Sequence, residues 1–445
     1  MSGWARALYS VLMTLGQPLL RRKLARRGRQ EPGYREAVDE RFGHYHQPPE
    51  MASELVWVHA VSLGETRTAA VLLKALRAQH PALRLLLTHG TATGREEGRA
   101  LLQSIGRPGD VQVWQPWDSP MAVKRFFSHF KPRLGLLMET ELWPNTVAES
   151  KRRGMPLVLV NGRLSAKSLN QAHRWAALAL PAYGALSAVY AQTQADAERF
   201  CQLGAPVAGV FGNLKFDATP DAALLTKGRV WRETLARPVL MFASSREGEE
   251  DDFLKQISAF AQAGRSQSAM NSVANPLPIA FQALIVPRHP QRFDEVAALV
   301  VQHGLRVSRR SSWQGSPADS EAAMAAEVWL GDSLGEMALY YGLGDAALLG
   351  GSFAPLGGQN LIEAAACGCP VVMGPHTFNF TEAAELAEAE GAALRVEGMA
   401  QAVQAGLGLI NDQAALGKAV NAGLAFAAQN QGAMARTATA LQAFL

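Results

Sequence analysis

Short apolar runs alternate with stretches of helical periodicity along most of the chain after about residue 50. Continuous apolar runs are typical of strands buried on both faces, and strands that alternate with helices predict parallel sheets covered by helices. The first half contains six such runs, at Leu55–His59, Leu83–Thr88, Val111–Trp114, Leu134–Met138, Leu157–Val160 and Ala188–Ala191. The second half also contains six, at Val239–Ala243, Ala283–Val286, Val328–Leu330, Ala346–Leu349, Val371–Met373 and Ala393–Val396. The pattern therefore predicts an α/β protein of two doubly wound, Rossmann-like domains that face each other across a cleft.

Breaks in this rhythm give the domain boundaries. Residues 213–227 lack a strong pattern and indicate a linker, while the polar stretches 263–278 and 311–325 indicate surface insertions. The predicted divisions are an N-terminal helix at 1–22, a first domain at 23–215, a linker at 216–227 and a second domain at 228–445.

The first 22 residues indicate contact with a membrane. The segment Trp4–Leu20 is mostly apolar, but it includes Arg6, Gln17 and Pro18 and is shorter than the ~20 apolar residues that a spanning helix needs. Its large apolar side chains lie at helical spacing on one face, namely Trp4, Leu8, Val11, Leu12, Leu15 and Leu19. This spacing favours a helix lying in the membrane interface. The alternative is a soluble amphipathic helix packed on the body of the protein.

Charge and cysteine content narrow the possible partners. The net charge is +4, but residues 21–29 carry six Lys and Arg, so the rest of the chain has about −2 (4 − 6). The basic character is therefore a local patch, suited to anionic lipid on the cytoplasmic side and not to nucleic acid. Three cysteines, an odd number, argue against a disulfide framework and fit a reducing cytoplasm.

Glycine-rich turns in the second half predict a nucleotide site. The stretch from Gly350 to Phe380 runs from strand to glycine turn to helix to strand, and Asn360 and Glu363 share the first helical turn. Backbone amides there would face a phosphate, and the glutamate would hold a ribose. Arg288 follows another strand and is suited to a phosphate. The alternative is an ordinary tight turn with a capping pair.

Acidic residues follow strands in the first half. Glu65 begins a helix after HAVSLG, where a carboxylate could accept a proton from a hydroxyl, although a helix N-terminus lowers its basicity unless desolvation raises it. The alternative is a helix-capping role. Glu139 and Glu141 follow another strand, and Lys215 could offset negative charge. There is no Walker motif, no G-x-G-x-x-G after the first strand and no D-x-D after a strand, which disfavours ATPase, dinucleotide and metal-dependent readings.

These motifs occur in an order that resembles one family. The segments HAVSLGET, METELWPN, NGRLS, GNLKFD, VPRHP, GDSLGEM and GGQNLIEAAACGCPVVMGPHTFNF resemble the 3-deoxy-D-manno-octulosonic acid (Kdo) transferases of Gram-negative bacteria. The resemblance covers nearly the whole chain. It implies a GT-B fold and transfer of Kdo from CMP-Kdo to the lipid A precursor, with inversion, at the cytoplasmic face of the inner membrane. It implies neither a metal nor a cofactor.

The resemblance also implies roles for individual residues. Glu65 matches the general base, and Glu139 and Lys215 match residues that stabilise the transition state. The positions that match the CMP site are Pro287, Arg288, Leu334, Gly335, Glu336, Asn360, Leu361, Ile362 and Glu363. The chain departs from the pattern at Gln359, where many relatives have His.

Two other functions stay open at this stage. One is a different GT-B nucleotide-sugar enzyme, either a UDP-sugar transferase or an epimerase, and the other is a membrane-tethered binding protein with a degenerate site. Preference for CMP over UDP would separate the first from a Kdo transferase.

Overall fold

The chain folds into two compact units. The computed structural model describes residues 3–47, 55–217, 219–270 and 280–445, with the side chains of 264–270 left out. The first unit contains the chain up to Asp217 together with the chain end, Asn430–Leu445. The second unit contains the chain between these two parts and ends at Gln429. The assignment of all of 228–445 to the second domain is therefore wrong for Asn430–Leu445.

The first unit is built on a seven-stranded parallel sheet with the order β3-β2-β1-β4-β5-β6-β7. Its strands are β1 (Leu55–His59), β2 (Arg84–His89), β3 (Val111–Trp114), β4 (Leu134–Met138), β5 (Leu157–Gly162), β6 (Ala188–Ala191) and β7 (Val207–Val210). Its helices are α1 (Gly3–Leu15), α2 (Gln17–Gln30), α3 (Leu63–Gln79), α4 (Ala92–Ile105), α5 (Pro120–Phe130), α6 (Pro144–Arg152), α7 (Ala166–Arg174), α8 (Ala176–Tyr183) and α9 (Gln194–Gln202).

The second unit repeats this plan, with the strand order β10-β11-β9-β8-β12-β13-β14. Its strands are β8 (Val239–Ser245), β9 (Gln282–Pro287), β10 (Val307–Arg309), β11 (Val328–Leu330), β12 (Ala346–Leu349), β13 (Val371–Met373) and β14 (Ala393–Arg395). Its helices are α10 (Ala222–Glu233), α11 (Glu249–Met270), α12 (Phe293–Gln302), α13 (Glu321–Ala325), α14 (Met337–Leu343), α15 (Leu361–Ala366), α16 (Thr381–Ala389), α17 (Met399–Asn411) and α18 (Gln413–Asn430). Helix α19 (Ala433–Leu441) then returns to the first unit.

These two sheets confirm the expected α/β class with two doubly wound sheets, but each has seven strands and not six. The two strands missing from the sequence prediction are β7 and β10, and each lies at the edge of its sheet. Residues of β7 alternate between partly buried and exposed, so this strand lacks the continuous apolar signal of a central strand.

Helices cover both faces of the first sheet. All five residues of β1 are buried. Trp57 packs on one face with Phe126 and Phe130 of α5, and Val58 packs on the other with Leu72 of α3. Burial on both faces is the reason that every residue of β1 before its last, His59, is apolar.

Two segments predicted to be loops are ordered parts of the second unit. Helix α10 begins at Ala222 and occupies the second half of the predicted linker, 216–227, because Asp221 caps its N-terminus by accepting hydrogen bonds from Ala223 N and Leu224 N. The stretch 311–325 is not a peripheral insertion, since Trp313 is buried and packs on Trp329 of β11. The other predicted insertion, 263–278, lies largely outside the described residues.

The chain end is fixed to the first unit by buried apolar contacts and by one carboxylate. Ala433, Ala438 and Leu441 of α19 are fully buried in the core beside α3. The Asp217 carboxylate accepts hydrogen bonds from the backbone N–H groups of Gly432 and Met434.

The N-terminal segment forms two helices, α1 and α2, that meet at Gly16, and not one helix over 1–22. The polar side of α1 faces the body, since Ser10 Oγ donates to Asn145 Oδ1 at 2.9 Å and Gln17 of α2 donates to Ser119. The predicted apolar face points outward, with Leu8, Leu12 and Leu15 at 54%, 60% and 73% exposure. Among the described residues, no helix combines the length and the apolar character that crossing a bilayer requires.

Candidate active site

Glu65 caps the helix that carries it. Ser62 is the N-cap of α3, and its Oγ accepts a hydrogen bond from Glu65 N. The Glu65 carboxylate in turn accepts from Val61 N at 2.8 Å and from Ser62 Oγ at 3.1 Å. The capping role weighed from the sequence is therefore present, and it fixes the direction of the carboxylate.

The pKa of the same carboxylate lies above its ordinary value. Burial raises the pKa of Glu65 to about 7; the hydrogen bonds from Val61 and Ser62 oppose this shift, and the negative charges of Glu139 and Glu141 add to it. Desolvation thus outweighs the effect of the helix N-terminus. A carboxylate that titrates near neutral pH is suited to general-base catalysis.

Glu139 forms an ion pair with Lys215. The Lys215 Nζ lies 3.3 Å from Glu139 Oε1, and both side chains are mostly buried. Glu139 directly follows β4 and has a left-handed backbone, with φ of 59°. A non-glycine residue in this conformation costs energy, and such residues cluster at functional sites.

The strand order explains why these residues meet. Strands β1 and β4 are neighbours, and the chain leaves them in opposite directions along the sheet. Ligands of open α/β sheets bind beyond the carboxyl ends of strands at such a switch point. Glu65 follows β1 and Glu139 follows β4, and Asn161 at the end of β5 accepts from Leu214 N, beside Lys215. The structure therefore brings the three predicted catalytic residues to one edge of the first sheet.

The second unit has its own switch point, between β8 and β12. The glycine turn after β12 passes very close to the end of β8: a Cβ on Gly350 would lie 2.2 Å from the carbonyl oxygen of Ser244. Only glycine fits there. Ser244 itself has a φ of 54°, so both sides of this crossing are conformationally demanding.

The amides of this turn are already bonded within the protein. The buried Glu249 carboxylate, at the start of α11, accepts hydrogen bonds from the N–H groups of Gly351, Phe353 and Ala354 at 2.7, 3.0 and 3.1 Å. The expectation that the glycine amides face a phosphate is therefore wrong for Gly351, because an internal carboxylate occupies that place.

The loop from Leu334 to Glu336 is held by its own glutamate. Glu336 Oε1 accepts from Arg310 Nη2 at 2.9 Å, and Oε2 accepts from Ser333 Oγ. The Arg310 guanidinium lies over the Trp231 ring, 5.1 Å from its centroid. Since its carboxylate is engaged in this way, Glu336 fixes the loop, and Leu334 and Gly335 form its outer surface, with Leu334 75% exposed.

Two of the predicted CMP-binding residues, Pro287 and Arg288, lie at the end of β9. Pro287 ends this strand, and Arg288 N donates to Ser245 O at 3.0 Å, which joins the segment to the end of β8. Arg292 is buried and pairs with Glu250 at 2.7 Å, so it does not lie on a solvated helix face.

The four predicted CMP-binding residues at α15 differ in their burial. Asn360 is the N-cap, and its Oδ1 accepts from Ile362 N at 3.1 Å. The side chains of Leu361 and Ile362 are buried in the core, so only their backbone could meet a ligand. Glu363 is partly buried on the first turn.

Sequence reasoning missed Glu249, Arg310 and Asn161. All three act on backbone or side-chain groups that are distant in sequence, 102 residues away for Glu249 and Gly351. One signal was available for Glu249, since an acid directly after the turn that follows β8 stands at the switch point of the second sheet. Within the described parts of the chain, no group of three His, Cys, Asp or Glu side chains could hold a metal ion.

The family model and two relatives of similar sequence all carry the name of one transferase family. A family model described as 3-deoxy-D-manno-octulosonic-acid transferase (kdotransferase) matches residues 36–218. The chain is 45% identical to a 3-deoxy-D-manno-octulosonic acid transferase of Bordetella pertussis and 32% identical to one of Haemophilus influenzae, in each case over 99% of both chains. The crystal structure of UDP-GlcNAc 2-epimerase from Neisseria meningitidis resembles it with a TM-score of 0.53 at 14% identity, over 87% of this chain and 100% of the epimerase chain, which shows the GT-B fold alone.

Proposed function

The chain belongs to the 3-deoxy-D-manno-octulosonic acid transferase family, and we propose that it transfers Kdo from CMP-Kdo to a hydroxyl of the lipid A precursor, lipid IVA, with inversion and without a metal. The observation that carries the proposal is the Glu65 carboxylate, whose pKa is raised to about 7 by burial beside the Glu139–Lys215 ion pair.

The proposed reaction begins at Glu65. Its carboxylate takes the proton of the acceptor hydroxyl, whose oxygen attacks the anomeric carbon of Kdo. The bond from that carbon to the phosphate oxygen of CMP breaks, and CMP leaves with the electron pair. Positive charge develops on the sugar during this step and negative charge on the phosphate, so fixed charges aimed at both centres lower the barrier.

The proposal assigns these charges to named residues. Glu139 stabilises the developing positive charge, and Lys215 both neutralises Glu139 and attracts an anionic group of the donor. In the second unit Arg288 meets the phosphate, supported by the Leu334–Gly335 backbone and by the turn that begins at Asn360. Since Leu361 and Ile362 are buried, their share in binding CMP is through the backbone.

We propose that α1 and α2 seat the protein on the cytoplasmic face of the inner membrane. The apolar stripe of α1 is exposed, while its polar side is bonded to the body, which is the reverse of a helix packed on a soluble core. Trp175, 64% exposed, extends this apolar surface beyond α1. The basic residues of α2 would meet anionic headgroups.

The test is transfer by the purified full-length protein. Incubation with CMP-Kdo and tetraacylated lipid A precursor should give a product heavier by one or more Kdo residues in mass spectrometry. Glu65→Gln should lower turnover by roughly 10²-fold or more, as expected for loss of a general base. CMP should inhibit better than UDP, whereas preferential inhibition by UDP, or full activity of Glu65→Gln, would contradict the proposal.

A further inference from the structure

Glu249 makes an unusual set of contacts for an acidic residue at the start of a helix. It is 3% exposed, and its two carboxylate oxygens accept four backbone hydrogen bonds. Oε2 accepts from Arg246 N at 3.1 Å and Gly351 N at 2.7 Å, and Oε1 accepts from Phe353 N and Ala354 N. A residue that only complemented the helix dipole would be exposed, as Asp252 is.

Hydrogen bonds within the glycine turn connect Glu249 to the predicted donor site. The Gly351 N–H is bonded to Glu249, and the Gly351 carbonyl accepts from Gly358 N at 2.7 Å. Gly358 lies two residues before Asn360, the N-cap of α15. A shift of the turn would therefore move Asn360 and the first turn of α15.

The neighbouring acid fixes the helix that carries Glu249. Glu250 is fully buried and accepts from Ser245 Oγ at 2.9 Å and from Arg292 Nη1 at 2.7 Å. Ser245 ends β8, and Arg292 lies four residues after Arg288 in the segment that follows β9. The first turn of α11 thus contacts the segments after β8, β9 and β12, three of the turns at this edge of the second sheet.

We propose that Glu249 is a positioning residue for the donor site, acting through the Gly351–Ala354 amides, with Glu250 holding its helix in place. This inference rests on the proposed function, since it takes the ligand of that edge to be CMP-Kdo. It gives the acidic residues at 249 and 250 a role in arranging ligand-binding turns without touching the ligand.

The decisive variant is Glu249→Gln. It keeps the size of the side chain but replaces one acceptor oxygen by an NH2 group, so backbone donors on that side lose their partner. We expect the dissociation constant of CMP, measured by calorimetry on the full-length protein, to rise about tenfold to 100-fold, since small misplacements of binding groups cost this much. Amide hydrogen exchange of residues 351–354 should accelerate in the same variant.

Asp252→Asn is the matched control. It removes the same charge from the same helical turn, but Asp252 is exposed and bonds only to Lys255 in the side-chain contacts described for it. CMP affinity and exchange at 351–354 should stay within about twofold of the wild type. Glu249→Asp, which keeps both acceptor oxygens on a shorter chain, should bind CMP with an affinity between those of the wild type and Glu249→Gln, and it replaces that variant if Glu249→Gln does not fold.

The outcomes separate the two proposals. A wild-type protein that does not bind CMP overturns the proposed function. A wild type that binds CMP, with Glu249→Gln binding it equally well or with unchanged exchange at 351–354, overturns the positioning role. Equal weakening by Asp252→Asn overturns it as well, because the effect would then be one of charge and not of the loop.

Discussion

At the scale of single residues, Glu65 combines a helix-capping role with a raised pKa. Its bonds to Val61 N and Ser62 Oγ cap α3, and its burial next to Glu139 and Glu141 raises its pKa to about 7. Because the folded pKa lies above the ordinary value of 4.5, this group stabilises the fold most below about pH 4.5 and loses that contribution as the pH rises through about 7. The pH range in which this stability is lost is also the range in which the proposed base becomes deprotonated.

This arrangement predicts the pH dependence of turnover. The base acts when deprotonated, so kcat/KM should rise with pH through about 7. Glu141→Gln removes a negative charge that raises the pKa of Glu65, and the rising limb should move to lower pH in rate measurements from pH 5 to 9. Glu149→Gln on α6, whose carboxylate is paired with Arg152 and Arg153, should leave the limb in place. A limb that Glu141→Gln leaves unmoved or shifts to higher pH would argue against Glu65 as the base.

At the scale of elements, central strands were predictable and edge strands were not. Strand β1 was identified with its correct bounds because it is buried on both faces and all its residues except the last, His59, are apolar. Strand β7 was missed because one side of it is exposed. The residues after central strands, such as Glu139, could therefore be placed at the sheet edge from the sequence alone. Glu249 could not be assigned its role, since its partners come from a loop about a hundred residues later.

The close approach of the turn after β12 to the end of β8 predicts that glycine-to-alanine substitutions at two positions will change the free energy of unfolding very differently. Gly350→Ala would place a Cβ 2.2 Å from Ser244 O and should lower the free energy of unfolding by about 2 kcal/mol in urea titrations. Gly408 lies in α17 with no atom within 4 Å of a built Cβ. Gly408→Ala should stabilise the protein by about 0.5–1 kcal/mol through helix propensity. Equal effects of the two changes would contradict the close approach at Gly350.

The outward stripe of α1 predicts a measurable loss of membrane binding. Leu8→Glu combined with Leu12→Glu should weaken binding to anionic vesicles by roughly 100-fold or more, because each exposed leucine contributes ~1.5–3 kcal/mol when it enters the interface. Both side chains are exposed, so thermal unfolding should change little. Val301→Glu, at a residue 61% exposed on α12, is the control and should bind vesicles like the wild type. Co-sedimentation that is equal for all three proteins would refute the interfacial role of α1.

At the scale of the whole molecule, the chain end belongs to the first unit although the sequence pattern placed it in the second. Helix α19 supplies three fully buried side chains to the core beside α3. No local sequence pattern predicts this packing, because the amphipathic pattern of a helix does not indicate which apolar surface the helix covers. The division into two α/β halves was predictable, whereas the final crossing of the chain depended on tertiary packing.

Removal of the chain end should therefore weaken the first unit selectively. Deleting Asn430–Leu445 uncovers core positions beside α3 and leaves the Asp217 carboxylate without Gly432 and Met434. Amide exchange should accelerate in β1 and β2 and stay unchanged in β8 and β12, which serve as the internal control. Faster exchange confined to the second unit would contradict the assignment of α19.

The polar bonds beneath α1 connect it to the segment that carries the carboxylates. Ser10 bonds to Asn145, and Asp118 accepts from Asn145 N and Thr146 N at the start of α6, four residues after Glu141. A protein seated on lipid through α1 would therefore hold Glu139 and Glu141 at a set height above the bilayer. If the protein sits on lipid in this way, we expect the distance of a hydroxyl from the lipid surface to decide whether that hydroxyl reaches the two carboxylates.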